Sequence, residues 1–140
     1  MPYNVMIVDD SRSMRQVIRK ILGASGFKVG DCLEAGNGRE ALDLLESHWV
    51  DLILSDIHMP EMDGFGLLRA LKENEEWRDT PVVLITTESN EDRIQEALSL
   101  GAKGYIRKPF RAESIRLHLN QILGIEEGYE LPGTDEESDF

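Results

Sequence analysis

The sequence predicts one α/β domain, a three-layer sandwich with five parallel strands between two layers made by five helices. Three observations carry this. Short β-branched runs alternate strictly with segments of helical period, five of each, which implies parallel pairing through right-handed crossovers. The clearest runs, Val5-Met6-Ile7-Val8 and Val82-Val83-Leu84-Ile85, are continuously apolar, as expected of strands covered on both faces. A length of 140 residues, 41% apolar and 30% charged, suits a single globular core.

Taken in order, the first strand is Val5 to Val8. Met14, Val17, Ile18, Ile21 and Leu22 then recur at helical spacing, with Ser11 or Ser13 as cap and Gly23 or Gly26 as stop. A weaker second strand lies within Val29 to Ala35. Asn37-Gly38 turns the chain into a helix carrying Ala41, Leu42, Leu44 and Leu45. Leu52-Ile53-Leu54 is the third strand, and Phe65, Leu67, Leu68 and Leu71 form the helix after Gly64. Behind the fourth strand, Ile94, Ala97, Leu98 and Leu100 mark a helix stopped by Gly101. Gly104 to Arg107 is a short fifth strand halted by Pro109. Ile115, Leu119, Ile122 and Leu123 make the last helical face, ending at Gly124.

Charge divides the chain. The formal net charge is −12, yet residues 125–140 hold seven acids and no Lys or Arg, leaving 20 acids against 15 bases in residues 1–124. The expected organisation is therefore a folded domain over 1–124 and an acidic, disordered tail over 125–140. The acidic balance excludes a sequence-independent hold on nucleic acid. A single cysteine, Cys32, excludes an internal disulfide and any multi-cysteine zinc site. Apolar runs of about four residues are too short for membrane insertion, and no secretory leader is visible, so the expected compartment is cytoplasmic.

In an open parallel sheet, ligands bind beyond the carboxyl ends of the strands. Asp9 and Asp10 follow the first strand, Asp56 the third, Thr86 and Thr87 close the fourth, and Lys108 the fifth. Any one of these has a bland reading: a helix cap, a turn residue, a surface charge. Together they place three carboxylates, hydroxyls and an ammonium on one rim. Three close carboxylates call for a cation. An all-oxygen donor set selects a hard metal, and Mg²⁺ fits best because it accepts one or two carboxylates and retains water or phosphate. Beside it, one Asp can take a phosphoryl group as an aspartyl-phosphate, with the lysine and a hydroxyl on the equatorial oxygens.

At these residues the chain resembles a known family. The runs VMIVDDSRSMR, DLILSDIHMPEMDG, PVVLITTES and GAKGYIRKPF look like the receiver domain of bacterial two-component response regulators, over residues 3–124. The resemblance implies a flavodoxin-like, CheY-like fold with strand order 2-1-3-4-5. It implies Asp56 as phosphoacceptor from a histidine kinase, and Mg²⁺ held directly by Asp10 and Asp56, by Asp9 through water and by the His58 carbonyl. Lys108 would pair with the phosphoryl group or the Asp56 carboxylate. Thr86 would swing inward and Tyr105 would change rotamer, altering an output face from Glu91 to Leu119 that includes Arg116.

Some positions are individual to this chain. Thr87 is bulkier than the residue often found there and is expected to narrow access to Asp56. His58 and Glu88 stand where they could tune dephosphorylation. Within the family the motifs look most like the stand-alone chemotaxis type, whose partner is the flagellar motor switch; the alternative is a receiver serving a relay phosphotransferase or regulating an enzyme. The receiver reading makes the protein a phosphoacceptor rather than an enzyme. An Asp-nucleophile phosphatase is disfavoured because its second acid would fall at His58. Gly36-x-Gly38-x-x-Ala41 imitates a dinucleotide fingerprint but sits after the wrong strand, and reads as a turn. Cys32 is expected packed on an inner strand, His48 and His118 at the surface, and Trp49 and Trp77 as partial caps on the core.

Overall fold

A computed structural model describes residues 2–124; the expected tail, 125–140, lies outside them. The elements are β1 (Tyr3–Val8), α1 (Arg12–Ala24), β2 (Val29–Ala35), α2 (Gly38–Leu45), β3 (Leu52–Ser55), α3 (Gly64–Lys72), β4 (Val82–Thr86), α4 (Glu91–Ser99), β5 (Gly104–Arg107) and α5 (Ala112–Leu123). The strands are all parallel, in the order β2-β1-β3-β4-β5. No described helix is long and apolar enough to cross a membrane.

Successive strand residues point to opposite faces, so each continuous apolar run feeds two cores. Met6, Val8, Ile53 and Leu84 pack with Ala41, Leu67, Leu68 and Ile94 of α2, α3 and α4. Val5, Ile7, Leu54 and Ile85 pack with Ile18, Leu22, Ile115 and Leu119 of α1 and α5. Helix starts follow short-range chemistry: Ser11, Asn37, Asp63 and Asn90 each accept an amide hydrogen bond as N-caps. The stop after α1 is Ser25, with Gly26 in the left-handed region at φ 88°.

β2 is an edge strand. Its pairing with β1 slips between Tyr3↔Val29 and Val5↔Cys32, leaving an extra residue in the Gly30–Asp31 stretch. The Asn4 side chain accepts from the Asp31 amide at 2.9 Å and fixes that bulge. Further along, Glu34 takes hydrogen bonds from Arg15, Gln16 and Arg19 of α1. Burial works against its carboxylate, but these partners outweigh it and hold its pKa below the usual glutamate value. Cys32 is therefore on an edge strand rather than the expected inner one. It is half-buried against the α1–α5 core, and burial raises its thiol pKa.

Two glycines position the β3–α3 connection. A Cβ on Gly64 would meet the Asp56 carbonyl at 2.7 Å and Ile57 Cα at 2.9 Å, while the Gly64 amide donates to the Ile57 carbonyl at 2.8 Å. A Cβ on Gly38 would meet Met62 Cγ at 2.7 Å, and the Gly38 amide donates to the Met62 carbonyl. The imitation fingerprint is thus a helix start built for close approach to the neighbouring loop. Between them Glu61 closes a tight turn at φ 67°, with the Met62 amide on the Pro60 carbonyl at 2.7 Å. Gly64→Ala should displace the backbone that carries Asp56 and cost about 1–3 kcal/mol, the range for overpacking. Urea unfolding measures it; an unchanged midpoint would mean that the approach is not tight.

Candidate phosphoacceptor site

The carboxyl edge of the sheet gathers the predicted residues. Asp9, one residue beyond β1, is 2% exposed. Its Oδ1 accepts from the Ser11 amide at 2.9 Å and its Oδ2 from Lys108 Nζ at 2.9 Å. Asp10 is exposed beside it. Asp56 follows β3, anchored by its amide on the Val8 carbonyl; its Oδ1 accepts from the Ile57 amide and its Oδ2 from Lys108 at 3.3 Å. Ligand oxygens of Asp9, Asp10 and Asp56 all lie within 4.8 Å of one another. This is an all-oxygen set with one exposed and one half-buried member, the chemistry that suits a hard divalent cation.

Lys108 follows β5, its amide on the Thr86 carbonyl at 2.9 Å and its side chain 11% exposed. Burial penalises its ammonium, but the Asp9 hydrogen bond and the Asp56 charge outweigh that and raise its pKa above the usual lysine value. Its shorter contact is to Asp9, a pairing the sequence did not suggest. Thr86 is fully buried, and its Oγ1 accepts from the Glu88 amide at 3.1 Å. Tyr105, half-buried on β5, packs against the α2–α3–α4 core.

Between the β3–α3 and β4–α4 loops, His58 Nε2 and Glu88 Oε1 are 2.7 Å apart. Glu88 Oε2 also accepts from the amide of Asn90, the α4 N-cap. The Asn90 amide, followed by His58, lowers the Glu88 pKa. Thr87 is exposed on the β4–α4 loop, and His58 and Glu88 join that loop to the β3–α3 loop. Arg116 departs from expectation. Its side chain lies against Gly26 in the α1–β2 turn, with Nε buried, and so marks the α1–α5 seam rather than the α4–β5–α5 face.

A doubly wound sheet with an acidic triad, a lysine and a buried threonine on its carboxyl rim defines a class: the phosphoryl-controlled switch domains. The comparisons make the class specific. The family model for the response regulator receiver domain matches residues 5–120, and the chain belongs to that family. It is 37% identical over 119 residues to the chemotaxis protein CheY of Pseudomonas aeruginosa, covering 85% of this chain and 94% of that protein. The structure of the chemotaxis response regulator CheY4 of Vibrio cholerae superimposes with a TM-score of 0.76 at 34% identity, over 87% of this chain and 99% of that one. A receiver domain of a histidine kinase from Syntrophus aciditrophicus gives 0.76 at 33%, over 92% and 98%. The protein is a receiver domain of CheY type, the kind of phosphorylation-switched module used in chemotaxis signalling.

Removing one partner of a buried ion pair is more damaging than removing both. Lys108→Met should therefore cost about 3 kcal/mol in urea unfolding, and adding Asp9→Asn should restore much of the loss. A second mutation that adds to the damage would refute the Asp9–Lys108 pairing. Because the folded pKa of Lys108 is raised, the pair stabilises fully below the unfolded lysine pKa, about 10.4. That contribution should fade as pH rises through the higher folded value.

Proposed function

We propose that Asp56 accepts a phosphoryl group from a histidine kinase and that the resulting acyl phosphate switches a protein-binding face. The observation that carries this is the half-buried Asp56 carboxylate, 3.3 Å from Lys108 and within 4.8 Å of two further acids. Asp10 and Asp56 would hold Mg²⁺ directly, Asp9 through water and His58 by its backbone carbonyl. When bound, the ion offsets the rim's negative charge and that of the incoming phosphoryl group.

An Asp56 oxygen attacks phosphorus in line, and the bond to the donor nitrogen breaks with its electron pair returning to that nitrogen. Lys108 neutralises charge on the phosphoryl oxygens. The Thr86 hydroxyl donates to one of them once the β4–α4 loop moves inward. That movement pulls on Glu88, whose amide sits on Thr86 and whose carboxylate bridges His58 and the α4 N-cap. Tyr105 turns with it, and the face of α4, β5 and α5 changes. Thr87, at the same loop, is carried along.

The downstream partner in this reading is the flagellar motor switch, supported by relatives named as chemotaxis proteins. A second reading, a receiver feeding a relay phosphotransferase or controlling an enzyme, is supported by the likeness to a receiver from a histidine kinase. Either operates in the cytoplasm by protein contact, without binding nucleic acid and without turning over exogenous phosphate esters.

With acetyl phosphate and Mg²⁺, wild type should gain hydroxylamine-sensitive phosphate and Asp56→Asn should not; retention by the variant would sink the assignment. Thr86→Ala should still take up phosphate but lose most of the beryllofluoride-dependent gain in binding to a motor-switch peptide. Glu88→Ala releases His58 and opens the rim, so the acyl phosphate should decay several-fold faster. An unchanged decay rate would show that the His58–Glu88 bridge does not guard the site.

A further inference from the structure

The end of the sheet opposite Asp56 carries a second feature. A groove of about 510 Å³ opens between the α2–β3 turn and the α3–β4 connection, within the range of binding clefts. Leu45, Val50 and Trp77 form its apolar part, with Glu46 and Glu76 at its edge. Along β3 it lies about 20 Å from Asp56, six residues at ~3.3 Å each.

Trp49 overturns the expectation of a core cap: it is 75% exposed. The ring is nevertheless tethered. Its Nε1 donates to Asp51 Oδ1 at 2.8 Å, and Asp51 Oδ2 accepts from the Asn4 amide at 2.8 Å. The Asn4 side chain donates to the Trp49 carbonyl, and the Asp51 amide to the Asn4 carbonyl. A large aromatic surface is thus exposed to water on hydrogen bonds to β1, with part of its ordering cost already met. Preorganised tryptophans of this kind dominate binding interfaces.

The surrounding charge selects the occupant. Two carboxylates, Glu46 and Glu76, line the groove, and no Lys or Arg among the described residues does. Nucleic-acid phosphates and anionic lipid are repelled. Arg or Lys is attracted, both by the acids and by the exposed indole of Trp49. We propose that this groove docks a basic, apolar peptide segment of a partner protein, and that it does so whether or not Asp56 is phosphorylated. This goes beyond the receiver reading, and would give the protein a constitutive attachment point separate from its switched face.

The test uses the full chain and a short synthetic peptide of alternating leucine and arginine, with glutamate-for-arginine and serine-for-leucine counterparts. Binding is followed by the two tryptophan indole NMR signals. The leucine–arginine peptide should shift both saturably and bind at least about tenfold tighter than either counterpart. Affinity should be the same with and without beryllofluoride. Trp49→Ala, which removes an exposed side chain, should weaken binding about tenfold, and Glu76→Lys should weaken it without altering beryllofluoride uptake. Equal binding of the glutamate peptide, shifts confined to α4–β5–α5, or indifference to Trp49→Ala would overturn the proposal. So would indole signals that change with protein concentration or on removal of residues 125–140, since a second copy or the chain's own end would then fill the groove.

Discussion

Like charge held at close range is the constraint on which the rest of this molecule depends. Carboxylate oxygens within 4.8 Å of one another repel by on the order of 3 kcal/mol per pair at an effective dielectric constant of 20. One ammonium, on Lys108, cannot cancel three negative charges. The fold supplies part of the remainder. Each strand of the parallel sheet is followed by a helix whose amino end faces the same rim, and the positive ends of the helix dipoles favour negative charge there. Asp9 is fixed by the Ser11 amide at the start of α1, and Asp56 by the amide of Ile57. The site thus keeps net negative charge at close range, an arrangement that a bound cation would relieve.

Much of this was legible in the sequence because it is periodic or local. Runs such as Val82–Ile85 mark a strand buried on both faces, and strict alternation with helices leaves few topologies. Strand ends then bring Asp9, Asp10, Asp56, Thr86 and Lys108 to one edge without knowledge of any side-chain position. Caps were readable too: Ser11 and the Asn37-Gly38 turn lie where local hydrogen bonding requires them. The order of the strands came from resemblance, since alternation alone does not say which strand lies at the edge.

What escaped the sequence depends on contacts between residues far apart in the chain. The preference of Lys108 for Asp9 joins positions 99 residues apart, and the His58–Glu88 bridge spans 30. Arg116 was expected on the output face of α5, but its side chain lies against Gly26 in the α1–β2 turn. Trp49 shows the limit of hydropathy: a large apolar ring is expected to seek the core, yet this one stands 75% exposed with its Nε1 on Asp51. Cys32 was misplaced for a different reason. Its strand is mixed in character, with Asp31 and Glu34 close by, and the strand order implied by the resemblance already puts β2 at the edge, where the sheet has it with a single partner.

That open side of β2 bears on how the protein behaves in a crowded solution. An unpaired strand edge is a template for another chain, and regular edges invite aggregation. Here the extra residue near Gly30–Asp31, pinned by Asn4, breaks the spacing that an incoming strand would need to match. Farther along, the clasp of Arg15, Gln16 and Arg19 on Glu34 surrounds the same strand with charge. The irregularity thus acts as a guard, letting a sheet with free flanks resist pairing with copies of itself.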